Sequence, residues 1–176
     1  MKVRSMTFTA LLSAVICVLA PIAFPVGPIP ITLALFAIYI TSSLTNWKLG
    51  TLAVCVYILI GAVGVPVFSG YGGGLPRLVG VTGGYLWGYI PMAIIIGLLI
   101  DRFEEKKFMY PLAMVLGTAA CYFLGTAWYM YLTKSPLLTA LVTCVTPFLI
   151  GDVIKITLAS FIVYPVRKIL KKYGTV

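Results

Sequence analysis

Asp152 and Lys155 stand three positions apart in an otherwise apolar run, Pro147-Phe-Leu-Ile-Gly-Asp-Val-Ile-Lys-Ile. On a helix that spacing puts both side chains on one face. The ammonium can meet an anion, and the carboxylate can accept hydrogen bonds from N–H groups of a ligand. A plainer alternative is a pair that neutralises itself so that its helix can enter a bilayer, where each charge near the centre costs about 2.5–3.5 kcal/mol. Leucine would solve insertion more simply, so the pair reads as a polar anchor for a ligand inside a helical bundle.

Residues 64–85 form a second feature, Gly64-Val-Pro-Val-Phe-Ser-Gly-Tyr-Gly-Gly-Gly-Leu-Pro-Arg-Leu-Val-Gly-Val-Thr-Gly-Gly-Tyr. The stretch is too rich in glycine to be helical throughout, and glycine lets backbone approach a ligand closely. Phe68, Tyr71 and Tyr85 could stack on a flat ring or flank an aliphatic tail. Alternatively they are ordinary interfacial aromatics on an external loop. Arg77 is a basic residue of the same loop and could serve a ligand carboxylate or the interface. The loop lacks the GxxxxGK[ST] arrangement and no strand precedes it, so it is no nucleotide site. Any ATP-driven work therefore belongs to another subunit. With no histidine and four acidic residues in all, a His-ligated metal site is excluded. The four cysteines, Cys17, Cys55, Cys121 and Cys144, read as reduced packing residues without metal spacing.

The elements that must carry these residues follow from composition. The chain has 176 residues, 61% hydrophobic and 10% charged, with a mean hydropathy of +1.10. Soluble domains are roughly 45–50% apolar and about 25% charged, and a chain this short cannot hide so much apolar surface in one aqueous core. Lipid is the expected solvent. A spanning helix takes about 20 residues, and the apolar runs 6–24, 31–46, 49–66, 84–100, 109–132 and 147–167 give six candidate spans. The first has Lys2 and Arg4 ahead of it like a signal sequence, but shows no convincing cleavage site and reads as a helix. The second run is short for a crossing and is expected to be tilted or broken. A turn rich in proline (Pro25, Pro28, Pro30) precedes it, and Asn46-Trp47-Lys48 makes a tight turn after it. Residues 137–146 read as a separate interfacial helix, because Pro147 would break a continuous one.

Charge sets the orientation. With the N-terminus inside, Lys2, Arg4, Lys48, Arg102, Lys106, Lys107, Arg167, Lys168, Lys171 and Lys172 fall on the cytoplasmic side, against Arg77 and Lys134 outside. That bias follows the positive-inside rule and argues against a nucleic-acid stripe. The expected fold is thus an all-α membrane protein: one bundle over residues 1–176, six transmembrane helices, both termini cytoplasmic, and an external Gly-rich loop. Only Lys155 has no place in the topology. In the first helix, Ala10 and Ala14 are small residues four apart, a spacing that lets another helix approach closely.

Several stretches taken together resemble the BioY family, the biotin-binding S components of energy-coupling factor (ECF) transporters. They are Ile31-Thr-Leu, the run from Leu49 to Phe68, Gly80-Val-Thr-Gly-Gly-Tyr-Leu-Trp-Gly-Tyr, and Pro147-Phe-Leu-Ile-Gly-Asp-Val-Ile-Lys. The resemblance implies six helices, an outward biotin site closed by external loops, and residence in a prokaryotic cell membrane. It also implies work with a transmembrane coupling subunit and two cytoplasmic ATPase subunits, with no enzymatic activity or cofactor of its own. Its implied binding residues fall on Asp152, Lys155, Thr82, Gly83, Gly84 and Tyr85, and its docking motif on Ala10 and Ala14. The chain departs from the family at Ala34, Val81, Leu86 and Gly72, which leaves fewer polar contacts for the vitamin. Rival readings are an S component for another vitamin or a base precursor, a proton-coupled carrier with Asp152 as relay, and an intramembrane enzyme with Asp152 as base.

Overall fold

Asn46 separates the second apolar run from the third, because its side chain accepts the Leu49 N–H at 3.0 Å and caps the helix that follows. Such a cap satisfies one of the orphan N–H groups at a helix start. In the computed structural model, which describes residues 3–24 and 29–172, the chain is mostly helical. Helix α1 spans Val3–Leu19, α2 Ala34–Leu44, α3 Trp47–Ala62 and α4 Leu75–Val79. They are followed by α5 (Gly83–Arg102), α6 (Met109–Thr133), α7 (Leu137–Cys144) and α8 (Thr146–Lys172). Among the described residues, three helical stretches are long and apolar enough to cross a membrane: Gly83–Arg102, Met109–Thr133 and Leu137–Lys172. Helices α1, α2 and α3 are shorter but apolar.

The second run is helical over only 11 residues, about 16 Å at the usual rise. Its first residues are extended instead. Strand β2, Ile31–Thr32, pairs antiparallel with β1, Ala23–Phe24, so part of the expected proline-rich turn is a small hairpin. Pro25 and Pro28, like Lys2, lie outside the described residues. The helix end before Pro147 falls as expected. The chain leaves helical geometry at Val145 (φ −125°, ψ −53°), and Pro147 occupies the first turn of α8, where its missing N–H costs nothing.

Glycines bring α5 and α6 together. A Cβ at Gly84 would overlap the β-carbon of Trp128, and one at Gly88 would stand 3.1 Å from the backbone of Cys121. From the other side, Gly117 packs on Ile96 and Gly125 on the Tyr85 ring. Small residues at such positions let helix backbones approach where no hydrophobic force drives them together.

Helix α8 is inside out by the standards of soluble proteins. Its buried residues are Phe148, Asp152, Lys155, Ile156, Ala159, Val163 and Arg167, spaced three and four apart as one helical face. The opposite face presents Ile150, Val153, Ile154, Leu158 and Phe161, all exposed. A helix that turns its charges inward and its large apolar side chains outward fits lipid as the surrounding medium.

The inward stripe ends on Arg167, counted in the sequence among the cytoplasmic charges but only 2% exposed. Its Nη1 donates to the carbonyls of Ser43 at 2.6 Å and Thr45 at 3.0 Å. Its Nη2 donates to Asp101 Oδ1 at 2.5 Å, and Glu104 lies within 3.8 Å. The other Asp101 oxygen accepts the Trp47 N–H at 2.8 Å, and Lys171 pairs with Glu104. One guanidinium thus joins the end of α2, the start of α3 and the end of α5 to α8.

Candidate ligand-binding site

The face of α8 that carries Asp152 and Lys155 turns into a cavity of about 600 Å³, counting its open mouth. The two side chains form an ion pair, with Lys155 Nζ 3.2 Å from Asp152 Oδ1. Asp152 is 4% and Lys155 8% exposed, so the pair is held inside the bundle rather than at its surface. Tyr122 of α6 donates its hydroxyl hydrogen bond to Asp152 Oδ2. Each carboxylate oxygen therefore holds one protein donor. A carboxylate has about four acceptor positions, which leaves roughly half of them for a ligand.

The remaining walls are mainly apolar and aromatic. Leu35 comes from α2, Leu86 and Tyr89 from α5, and Phe148 from the start of α8. Thr32 and Ile29 enter from the hairpin region. A largely apolar cavity with a few convergent polar groups is the usual form of a small-molecule site.

The segment between α3 and α5 closes one side, and it is itself tied down. Gly70 N–H donates to the Pro21 carbonyl at 3.0 Å and Gly74 N–H to the Gly61 carbonyl at 2.7 Å. Phe68 is buried with its ring edge-on to Tyr57, centroids 5.6 Å apart. It seats on Gly61, where any Cβ would overlap the ring. Gly70 and Gly74 take φ of +66° and +87°, which glycine adopts without a Cβ penalty.

Of the residues expected from sequence, Asp152, Lys155, Phe68, Arg77, Thr82 and Tyr85 all line this one cavity. The Tyr85 ring faces it, while its hydroxyl donates to the Cys144 carbonyl at 2.8 Å and ties α5 to the end of α7. The Arg77 guanidinium lies along Gly72, where an added Cβ would stand 2.5 Å from Nε. Arg77 is exposed and has no ion pair among the described residues. Tyr71 is elsewhere, 71% exposed and absent from the cavity walls. Gly83 and Gly84 are buried in packing contacts, against the Leu78 carbonyl and Trp128 respectively. Ala10 and Ala14 are both exposed on α1.

Sequence reasoning missed Tyr122, Tyr89, Phe148, Leu35 and Thr32. The first four sit in apolar stretches where an inward-facing aromatic or aliphatic residue looks like core, and Thr32 lies in a two-residue strand too short to show a pattern. Only the placement of α2, α5 and α6 around the charged pair distinguishes them.

The chain matches the model of the BioY family over residues 1–172. It is 36% identical over 169 residues to a biotin transporter BioY of Thermotoga maritima, covering 94% of this chain and 97% of that one. A probable biotin transporter BioY of Pyrococcus horikoshii is 32% identical over 165 residues, covering 92% and 95%. A solved structure, the S-component for biotin from an ECF-type ABC transporter, superposes with a TM-score of 0.89 at 30% identity. That match covers 95% of this chain and 92% of the other.

Proposed function

The chain belongs to the BioY family, and from that premise we propose that it is the substrate-binding membrane subunit of an ECF transporter for biotin. The observation that carries this reading is the buried Asp152–Lys155 pair at 3.2 Å in the wall of an otherwise apolar cavity. Biotin has a matching chemistry: ureido N–H donors, an apolar bicycle and chain, and a carboxylate. The unfilled acceptor positions of Asp152 suit the N–H groups. Lys155 is already engaged by Asp152, whereas Arg77 has no anionic partner among the described residues. The carboxylate therefore points toward Arg77, with Phe68, Thr82, Tyr85 and Tyr89 along the body of the ligand.

In this reading residues 1–176 are a single transmembrane domain in a prokaryotic cell membrane. The six apolar runs cross it, the termini are cytoplasmic, and segment 64–82 caps the site from outside. The subunit captures biotin and does not transform it. Uptake is driven by two cytoplasmic ATPase subunits through a transmembrane coupling subunit, which docks on the exposed Ala10–Ala14 face of α1. Tyr71 contributes through the shape of the loop, and Gly83 and Gly84 through close packing at the start of α5, rather than by lining the cavity.

The test is biotin titrated against the purified, detergent-solubilised chain. A saturable rise in melting temperature is expected, since a ligand that binds only the folded state stabilises it. No rise up to millimolar biotin would sink the reading.

A further inference from the structure

We infer that Tyr122 is a positioning residue of this site, whose hydroxyl holds the Asp152 carboxylate in its ligand-accepting orientation. The inference rests on the biotin reading above and adds a residue to it. Asp152 sits on α8, and its nearest charged neighbour, Lys155, is on the same helix. Lys155 therefore moves with Asp152 and cannot fix it relative to the rest of the cavity. Tyr122 comes from α6 and reaches Oδ2, the oxygen that Lys155 leaves alone. Across the α6–α8 contact the other side-chain hydrogen bond is weak, Ser160 Oγ to Met114 Sδ at 3.6 Å. The Tyr122 hydroxyl is thus the strong polar link between the anchor and the opposite wall.

The ring is held as well. It packs edge-on to Tyr85, centroids 6.3 Å apart, and is tilted against Phe148 at 6.5 Å. Tyr122 also lines a second, almost entirely apolar groove between α6 and α7, beside Phe123 and Leu141. One face of the ring therefore belongs to the ligand cavity and another to the outer groove. The hydroxyl turns inward to the Asp152 carboxylate, since an unpaired hydroxyl facing hydrocarbon would be costly.

The experiment compares Tyr122→Phe with Tyr39→Phe. Tyr39 of α2 makes an interhelical hydroxyl bond with the neutral Thr118 of α6 at 2.5 Å, but it does not line the cavity. Both variants lose one interhelical hydroxyl bond, so both are expected to melt at a somewhat lower temperature. Tyr122→Phe is expected to weaken biotin about tenfold or more, and Tyr39→Phe less than threefold, because only the first removes a hydrogen bond to a charged group. Equal losses in the two variants would mean that Tyr122 is merely structural, and undiminished binding by Tyr122→Phe would mean that its hydroxyl is idle. Either result overturns the inference. A cycle with Asp152→Asn adds a second readout: once Asp152 is replaced, Tyr122→Phe should cost little more, and full additivity counts against positioning. The parent protein alone tests the biotin reading, so failure of that reading is told apart from failure of the role of Tyr122.

Discussion

Lys155→Met is expected to abolish biotin binding in the micromolar range and to cost the protein more stability than most single substitutions. Methionine keeps the length of the side chain and removes its charge, which strands the Asp152 carboxylate in a wall where it is 4% exposed. Breaking a buried pair by removing one partner costs about 3–5 kcal/mol. At about 1.4 kcal/mol per factor of ten, even 3 kcal/mol exceeds a hundredfold if it falls on the ligand-competent state. The double variant Asp152→Asn with Lys155→Met is the informative companion. Replacing both charges by neutral groups can be nearly neutral for stability, so its melting temperature should recover while biotin binding stays lost. Those two measurements separate a ligand anchor from a pair that only eases insertion. If the double variant binds biotin like the parent, the pair is an insertion device and the site lies elsewhere.

Arg167→Met is the second substitution with a large expected effect, and its signature is the opposite. The guanidinium donates to two carbonyls and to Asp101 from a position only 2% exposed. Its removal leaves those carbonyls and Asp101 Oδ1 without their shared donor, at about 1–3 kcal/mol for each buried acceptor left unsatisfied. Lysine cannot reproduce a planar fork that meets several acceptors at once, so Arg167→Lys should recover only part of the loss. Fifteen residues of helix separate Arg167 from Asp152, about 22 Å. Among molecules that remain folded, biotin affinity should therefore change less than about threefold. Heating the detergent-solubilised variants and measuring the surviving monodisperse fraction reads the stability. An Arg167→Met protein that survives heating as the parent does would show that the contacts of Arg167 add nothing.

The parts of this molecule that follow from local chemistry could be read without coordinates. Helical stretches matching the apolar runs, the cap at Asn46, the break before Pro147 and the shared face of Asp152 and Lys155 are all of that kind. The parts that depend on which helix lies beside which could not. Tyr122 and Phe148 are indistinguishable from packing residues until α6 is set against α8. Gly84 looked like a place for a ligand and is a place for Trp128. Arg167 looked like one of several basic residues after a span, yet it reaches Ser43 and Asp101, which lie 124 and 66 positions back in the chain. The hairpin before α2 was hidden for another reason. Two-residue strands carry almost no pattern, and proline there signals a turn without saying what the turn joins.

The inside-out character of α8 has a consequence for how the protein is made. Alone in a bilayer, α8 keeps its Asp152–Lys155 pair but has lost the Tyr122 donor and every acceptor that Arg167 uses on other helices, and charges so poorly satisfied are penalised on insertion. Every group that satisfies those charges from outside α8, namely Ser43, Thr45, Asp101, Glu104 and Tyr122, has already left the ribosome when α8 emerges. The last helix is thus delivered to a slot whose polar fittings are waiting. Expressed by itself, the segment 137–176 is expected to be cleared by proteases, and co-expression with residues 1–136 should rescue both its accumulation and biotin binding. Stable insertion of the isolated segment would show that it needs no such reception. Synthesis from N- to C-terminus then supplies a chaperone for the most demanding helix, and that chaperone is the rest of the chain.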